Sequence, residues 1–310
     1  MIKLIADSTC DLSDELIERY NIGIAPLSIT IDGKTYRDRI DITADTFFSK
    51  IAEYKAPPTT AMPSPAVFIE LYEEAYKSGK KEIICICMSS KTSGSYQSAE
   101  IAKTYFIEEH PNQDYIIHVV DSTSMSHGSG WLILKSQRLI EKGMSFDDLV
   151  TYLETHKRNV KHFLSVDDLD NLVRSGRLRY GSALIGKIMK VKPIMTMKQG
   201  EGAIVSKERG RKAVLTHYIN AFNARVDLDE TDFVIVGYTS DHLYAENLVH
   251  LVQSETAFKG DILLLQMGVA VGTHVGLGGL SFYFMEKSHQ KDGLLVNNLN
   301  RIKEAAHLNG

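Results

Sequence analysis

Glu82-Ile83-Ile84-Cys85-Ile86-Cys87-Met88-Ser89-Ser90-Lys91-Thr92-Ser93-Gly94-Ser95-Tyr96-Gln97-Ser98-Ala99 carries three structural signals in one run. An apolar segment of strand length ends at Met88. A hydroxyl-rich turn follows, and a helical pattern then continues through Ile101, Ala102 and Tyr105. Strand, polar turn and helix start together make an anion site. The first backbone N–H groups of a helix lack intrahelical partners, and the positive end of its dipole points into the turn. Gly94 lets a ligand approach the backbone closely. The turn carries no carboxylate of its own. The segment therefore suits a carboxylate or a phosphate.

Outward from this unit the pattern alternates. Residues 3–6 read as an apolar strand and 13–20 as a helix start. Residues 24–31 and 34–37 flank Asp32-Gly33, a hairpin signal. Residues 43–54 look helical. Ser64-Pro65 is an N-cap and N1 pair for a helix reaching Lys77, with Gly79 as its stop. The strand at 82–88 is followed by helix 95–108, strand 115–120, helix 129–142 and a helix near 146–157. Such alternation implies a mostly parallel sheet flanked by helices.

Beyond about residue 158 the character changes. A strand at 160–165 precedes a short helix at 167–175 that Gly176 ends. Strands at 191–197 and 203–205 flank Lys198-Gln199-Gly200-Glu201-Gly202, read as a hairpin loop. Helix 208–225, strand 232–238, helix 241–257 and strands at 262–267 and 280–285 follow, then a helix at 294–307. The expectation is an α/β protein of two domains, a mostly parallel domain at 1–158 and an α+β domain at 159–310. Residues after about 286 are left without a placement. No internal repeat or low-complexity segment is visible.

Three expected strands end in hydroxyl-rich turns: Ile5-Ala6-Asp7-Ser8-Thr9, Met88-Ser89-Ser90 and Val119-Val120-Asp121-Ser122-Thr123. Ligands of open parallel sheets bind outside the carboxyl ends of the strands, so these ends form a candidate rim. For Asp7 and Asp121 the favoured reading is an ordinary N-cap or Asx-turn. Thr59-Thr60-Ala61-Met62-Pro63-Ser64 reads as a second hydroxyl-rich turn, with Thr60 a loop threonine. Gly268-Val269-Ala270-Val271-Gly272-Thr273-His274-Val275-Gly276-Leu277-Gly278-Gly279 sets one histidine among glycines. The glycines leave room for close approach, and the histidine can donate to a carboxylate or phosphate.

Composition excludes several classes. The 310 residues are 44% hydrophobic and 24% charged, an ordinary globular balance, and the net charge of -4 argues against nucleic acid as the main partner. The longest apolar runs, 83–88 and 262–265, are too short to span a bilayer. The N-terminus lacks a signal-peptide core and reads as a strand, and three cysteines fit a reducing cytoplasm. Cys85 and Cys87 share one face of a strand, and burial is favoured over a metal or redox pair. No histidine pair at i, i+4 and no Cys-x-x-Cys supports a metal. Gly181-Ser182-Ala183-Leu184-Ile185-Gly186-Lys187-Ile188 approaches a P-loop but has Ile188 where the magnesium-binding hydroxyl belongs. Gly276-Leu277-Gly278 lacks the context of a dinucleotide fingerprint, and no Gly-x-Ser-x-Gly elbow occurs. Ser93, His274 and Asp121 remain a conceivable triad.

Taken in order, these motifs resemble the DegV family, the fatty-acid-binding proteins that include the FakB subunits of bacterial fatty acid kinase. The resemblance runs from Ile5-Ala6-Asp7-Ser8-Thr9 through Thr60…Pro63-Ser64, Ser93–Ala99 and Val120-Asp121-Ser122. It continues through Leu169…Leu172…Gly176-Arg177-Leu178, Lys192-Pro193-Ile194, Arg209…Lys212-Ala213 and Gly272-Thr273-His274-Val275-Gly276. It implies two α/β domains with a lipid tunnel between them. In the family, the residues matched by Thr60 and Ser93 hold the fatty acid carboxylate, beside the Gly94 turn, and that matched by His274 lies in the same polar network. Those matched by Arg177 and Arg209 lie towards the head group and the encounter with a kinase subunit. That subunit carries the ATP site and converts the bound acid to an acyl phosphate.

The implied ligand is thus a long-chain fatty acid, and the implied partner is the kinase catalytic subunit. No cofactor and no catalysis by the chain alone are expected, and transient membrane contact is allowed. The chain departs from the family's usual Thr-Ser-Gln-Pro-Ser at Ala61 and Met62, and Leu277 stands where proline is usual. Two rival classes remain: a self-sufficient phosphotransferase or hydrolase using Ser93 and His274, and a lipid-sensing regulator.

Overall fold

The computed structural model describes residues 2–111, 114–180 and 191–288. In the first half, β1 (Ile2–Asp7), α1 (Asp14–Arg19) and β2 (Gly23–Ala25) are followed by β3 (Ser28–Ile31), β4 (Lys34–Arg37), α2 (Ala44–Lys50) and β5 (Thr59–Ala61). Then come α3 (Pro65–Lys77), β6 (Glu82–Cys87), α4 (Ser95–Glu109), β7 (Ile116–Asp121), α5 (His127–Glu141) and α6 (Phe146–His156). Four strands form a wholly parallel sheet in the order β2-β1-β6-β7. Residues 83–87 of β6 are all buried, as expected of a parallel strand covered on both faces. Cys85 and Cys87 lie in the apolar layer under α3 and α4, with Phe68, Tyr72 and Phe106. Their sulfurs are 3.7 Å apart. The Cys85 contact and burial together raise the Cys87 pKa, so this pair is packed and inert.

The hairpin at Asp32-Gly33 forms as read. Both residues take positive φ, 48° and 83°, the backbone of a two-residue turn that matches the strand twist. The single strand expected at 24–31 does not form. Pro26, which has no N–H to donate, lies between β2, which joins the parallel sheet, and β3, which starts a separate three-stranded antiparallel sheet β4-β3-β5. Thr60 is likewise not in a loop. It sits in β5, opposite Ile29 of β3.

The second half holds β8 (Val160–Ser165), α7 (Asp170–Arg174), β9 (Leu178–Tyr180), β10 (Val191–Lys198), β11 (Glu201–Arg209) and α8 (Gly210–Arg225). It continues with β12 (Phe233–Tyr238), α9 (His242–Glu255), β13 (Asp261–Gln266), α10 (Val269–Val275) and β14 (Leu280–Met285). One mixed sheet runs β13-β12-β14-β8-β10-β11-β9. The expected five-residue loop at 198–202 contracts to Gln199-Gly200, with φ of 52° and 83°, and β11 extends to Arg209. The near-P-loop at 181–188 and the helix expected at 294–307 lie outside the described residues.

Helix α5 joins the two sheets. Residues 127–136 are buried all round, so this segment has no solvent face. Trp131 stacks on Phe233 of β12 with ring centroids 5.0 Å apart, and its indole N–H donates to the Phe233 carbonyl at 3.2 Å. The same cluster contains Leu4 and Ile84 of the parallel sheet and Tyr283 and Met285 of the mixed sheet. Among the described residues no helix is long and apolar enough to cross a membrane.

Candidate functional site

The carboxyl ends of β1, β6 and β7 lie side by side, and the hydroxyl-rich turns meet there. The two aspartates of this rim are committed to the backbone. Asp7 accepts from the N–H of Met88 at 2.9 Å and from Thr9, and Asp121 accepts from the N–H groups of Ser90 and Thr123 at 3.1 and 2.9 Å. They brace the β6 turn from both sides, the bland role favoured by the sequence, and also accept from the Thr9 and Ser90 hydroxyls.

Ser93 and Gly94 precede α4, whose first turn carries no acidic residue. The Ser93 hydroxyl lies 3.0 Å from that of Ser95 and accepts from the Ser95 N–H at 3.3 Å. A Cβ on Gly94 would overlap the sulfur of Met62, so a side chain here would displace Met62 from the turn. Thr60 and His274 come from opposite ends of the chain. Thr60 Oγ1 and His274 Nε2 are 2.9 Å apart.

His274 rides on α10, a helix that was not anticipated. Its residues other than His274 are buried, so it shows no amphipathic period, and its small and β-branched composition reads as a glycine-rich loop. Two buried acids hold its start. Asp11 accepts from the Gly268 N–H at 2.9 Å and from the Ser126 hydroxyl at 2.6 Å. Asp38 accepts from the Ser8 hydroxyl at 2.7 Å and from the Ala270 backbone. Burial pushes the Asp11 carboxyl up to about 8, against the opposing effect of these hydrogen bonds.

A raised carboxyl pKa stabilises the fold below the unfolded value near 4, and that contribution is lost as pH rises through about 8. Asp11→Asn removes the titration and keeps the shape. Its melting temperature relative to the parent should rise by about 3–5 °C between pH 5 and pH 8. A constant difference across that range, measured by calorimetry, would contradict the assignment.

Two cavities meet at this point. The outer one, about 170 Å³, is walled by Thr60, Met62, Ser93, Gly94 and His274. The inner one, narrow at about 30 Å³, is mostly apolar and walled by Leu164, Leu172, Leu178, Met195, Met267 and Val275. Met125, Arg177 and Val271 line both, so a polar mouth opens onto an apolar interior. Burial, and then the neighbouring charge of Arg177, lower the His274 pKa to about 4, so the imidazole is neutral at pH 7. Arg177 Nη1 donates to the Ser175 carbonyl at 2.5 Å, which sets the guanidinium near the mouth. Charge at this mouth is therefore positive and half-buried, favourable to an anion.

Thr60, Ser93, Gly94, His274 and Arg177 are thus brought together, while Arg209 is not. It lies exposed at the end of β11, outside this cavity. The conceivable triad is not assembled: His274 bonds Thr60, Ser93 bonds Ser95, and Asp121 bonds Ser90 and Thr123. Ala61, Met62 and Leu277, the three departures, are all exposed, and the Met62 sulfur lies against Gly94 at the mouth. Among the described residues no group of three or more His, Cys, Asp or Glu side chains could hold a metal ion. The shared wall residues Met125 and Val271 had no signal in the sequence, because a scattered methionine and a valine in a glycine-rich stretch mark nothing by themselves.

The model of the DegV family, described as an uncharacterised protein family, matches residues 1–287. The chain belongs to the DegV family. A DegV domain-containing protein of Caldanaerobacter subterraneus is 34% identical over 288 residues, 92% of this chain and 99% of that one. A DegV family protein of Thermus thermophilus, described for its fatty acid binding, has a similar structure with TM-score 0.82 at 30% identity, over 92% of this chain and 99% of its own. A stearic-acid-binding protein of Eubacterium ventriosum has TM-score 0.81 at 27% identity, over 93% and 99%. DegV of Bacillus subtilis, a fatty acid binding protein, has TM-score 0.80 at 27% identity, over 92% and 99%.

Proposed function

We propose that this DegV family protein binds a long-chain fatty acid with its tail in the inner cavity and its carboxylate at Thr60, Ser93 and His274. It presents that carboxylate to a separate ATP-dependent kinase subunit for conversion to acyl phosphate. The observation that carries the reading is the shared wall of Met125, Arg177 and Val271, which makes one path from a polar mouth to an apolar interior. Sites of this form, mostly apolar with a few placed polar groups, are the usual shape of small-molecule recognition.

The chemistry divides between the two ends. Burying about ten methylenes at about 0.8 kcal/mol each gives roughly 8 kcal/mol before the costs of association. A charge-assisted hydrogen bond contributes about 1.5–3 kcal/mol. The tail therefore supplies most of the affinity, and the head group fixes orientation. When the neutral imidazole donates through Nε2 to Thr60 Oγ1, the Thr60 hydroxyl proton is free to point at a carboxylate oxygen. Ser93 and the start of α4 face the same point. The inner wall is rich in methionine, whose flexible side chain lets a narrow cavity open around a chain.

The direct test is to strip the protein of lipid, titrate it with stearate and oleate, and then add a fatty acid kinase catalytic subunit with ATP. Saturable binding and acyl phosphate formed only with both proteins present are expected. Turnover of ATP or of esters by this chain alone would contradict the reading. Val271→Phe narrows the throat. Excluding two methylenes costs about 1.6 kcal/mol, so stearate affinity should fall at least about tenfold. Octanoate, with less tail to exclude, should lose less. Equal losses for both acids by isothermal titration would place the throat elsewhere.

A further inference from the structure

Met62 is the most exposed of the described residues that line the outer cavity, at 51%, so its side chain stands between the cavity and bulk water. The main chain that carries it is fixed on both sides. Ala61 pairs with Ser28 of β3, and the Pro63 carbonyl accepts from the buried Ser98 hydroxyl of α4 at 2.6 Å. Thr60 and Met62 both line the cavity, as residues two apart on an extended chain do, with Thr60 half-buried and Met62 outermost. From this fixed post the Met62 sulfur reaches across to Gly94 and occupies the space that a Cβ there would need. The side chain therefore bridges from β5, which carries Thr60, to the turn that carries Ser93.

A methionine is chemically unlike the polar groups of this mouth. The Thr60 and Ser93 hydroxyls and the Arg177 guanidinium can donate to a carboxylate, whereas a thioether has nothing to donate. It offers an unbranched apolar surface on freely turning bonds, able to settle over whatever lies beneath it. We propose that Met62 is a water-excluding cover, its side chain lying over the bound head group from β5 to the Gly94 turn. The inference rests on the fatty-acid reading above. Excluding water strengthens the hydrogen bonds that hold the carboxylate. It also protects an acyl phosphate formed there, which water cleaves back to the acid and inorganic phosphate.

The experiment loads the delipidated full-length chain with stearate labelled with carbon-13 at the carboxyl carbon. A soluble gadolinium chelate is then added, and the relaxation it causes in that carbon signal is measured. Only bound ligand is read, so a misfolded fraction of a variant does not contribute. Met62→Ala should raise the relaxation severalfold over the parent. Met62→Leu, which restores apolar bulk, should stay close to the parent. Gly94→Ala, which displaces the Met62 side chain without altering it, should behave like Met62→Ala. Bound stearate whose relaxation is the same in the parent and in Met62→Ala overturns the cover and leaves the fatty-acid reading standing. A leucine variant as open as the alanine variant overturns the role of apolar bulk, and a Gly94→Ala protein as closed as the parent overturns the path across the turn. Failure of the parent to take up stearate overturns both readings.

Discussion

Ser93→Ala should lower acyl phosphate formation by about a hundredfold while weakening fatty acid binding by no more than about tenfold. The two effects separate because they belong to different ends of the ligand. The tail stays in the apolar interior between Leu164, Met195 and Val275, which the substitution does not touch. At the mouth, the Ser93 hydroxyl lies beside Ser95 ahead of α4, and its loss removes one of the groups proposed to fix the carboxylate. A head group displaced by about an ångström still binds but no longer lines up with a phosphoryl donor. Binding is measured by titration with stearate, and transfer by acyl phosphate formed with the kinase subunit at saturating lipid. Equal and large losses in both assays would contradict this division of roles.

Trp131→Ala should cost about 3–5 kcal/mol of stability, roughly 10 °C in melting temperature. Trp131 is fully buried, stacks on Phe233, and donates its N–H to the Phe233 carbonyl. Truncation leaves a cavity and an unpaired carbonyl between two sheets that share this helix. The wall residues Met125 and Ser126 precede α5 directly, so lipid affinity should fall as well. Trp131→Phe, which keeps the ring and loses only the N–H, should recover most of both. Loss of a few degrees or less for the alanine variant, seen by calorimetry, would show that the two sheets do not depend on this contact.

Much of the framework was legible in the sequence because its signals are local. The apolar run at 83–88, Ser64-Pro65, Asp32-Gly33 and the glycines at 79 and 176 each act within a few residues, and the elements form where those rules place them. The failures were tertiary. Pro26 splits what reads as one strand, because the chain leaves one sheet for another there. Thr60 reads as a loop residue because three residues of strand carry almost no pattern, and only pairing with β3 makes β5. Helix α10 is buried except at His274 and therefore lacks the period that would reveal it.

The site divides in the same way. Ser93 and Gly94 announce themselves through the strand-turn-helix signal. His274 stood out only by its glycine neighbours, and its contact with Thr60, 214 residues away in sequence, is visible only once folded. The resemblance pointed to Thr60, Ser93, His274, Arg177 and Arg209 together. The geometry gathers the first four at one cavity and leaves Arg209 outside it. Nothing local marks the inner wall, whose residues come from β8, β9, β10, β11, β14, α7 and α10 and the segment before α5.

The central claim is that the inner cavity holds a fatty acid, and native mass spectrometry of the protein purified from a bacterial host tests it most directly. The account predicts a one-to-one excess mass that resolves, on denaturation, into long-chain fatty acids. A clean mass of the bare chain, with no uptake of stearate or oleate on incubation, would contradict it.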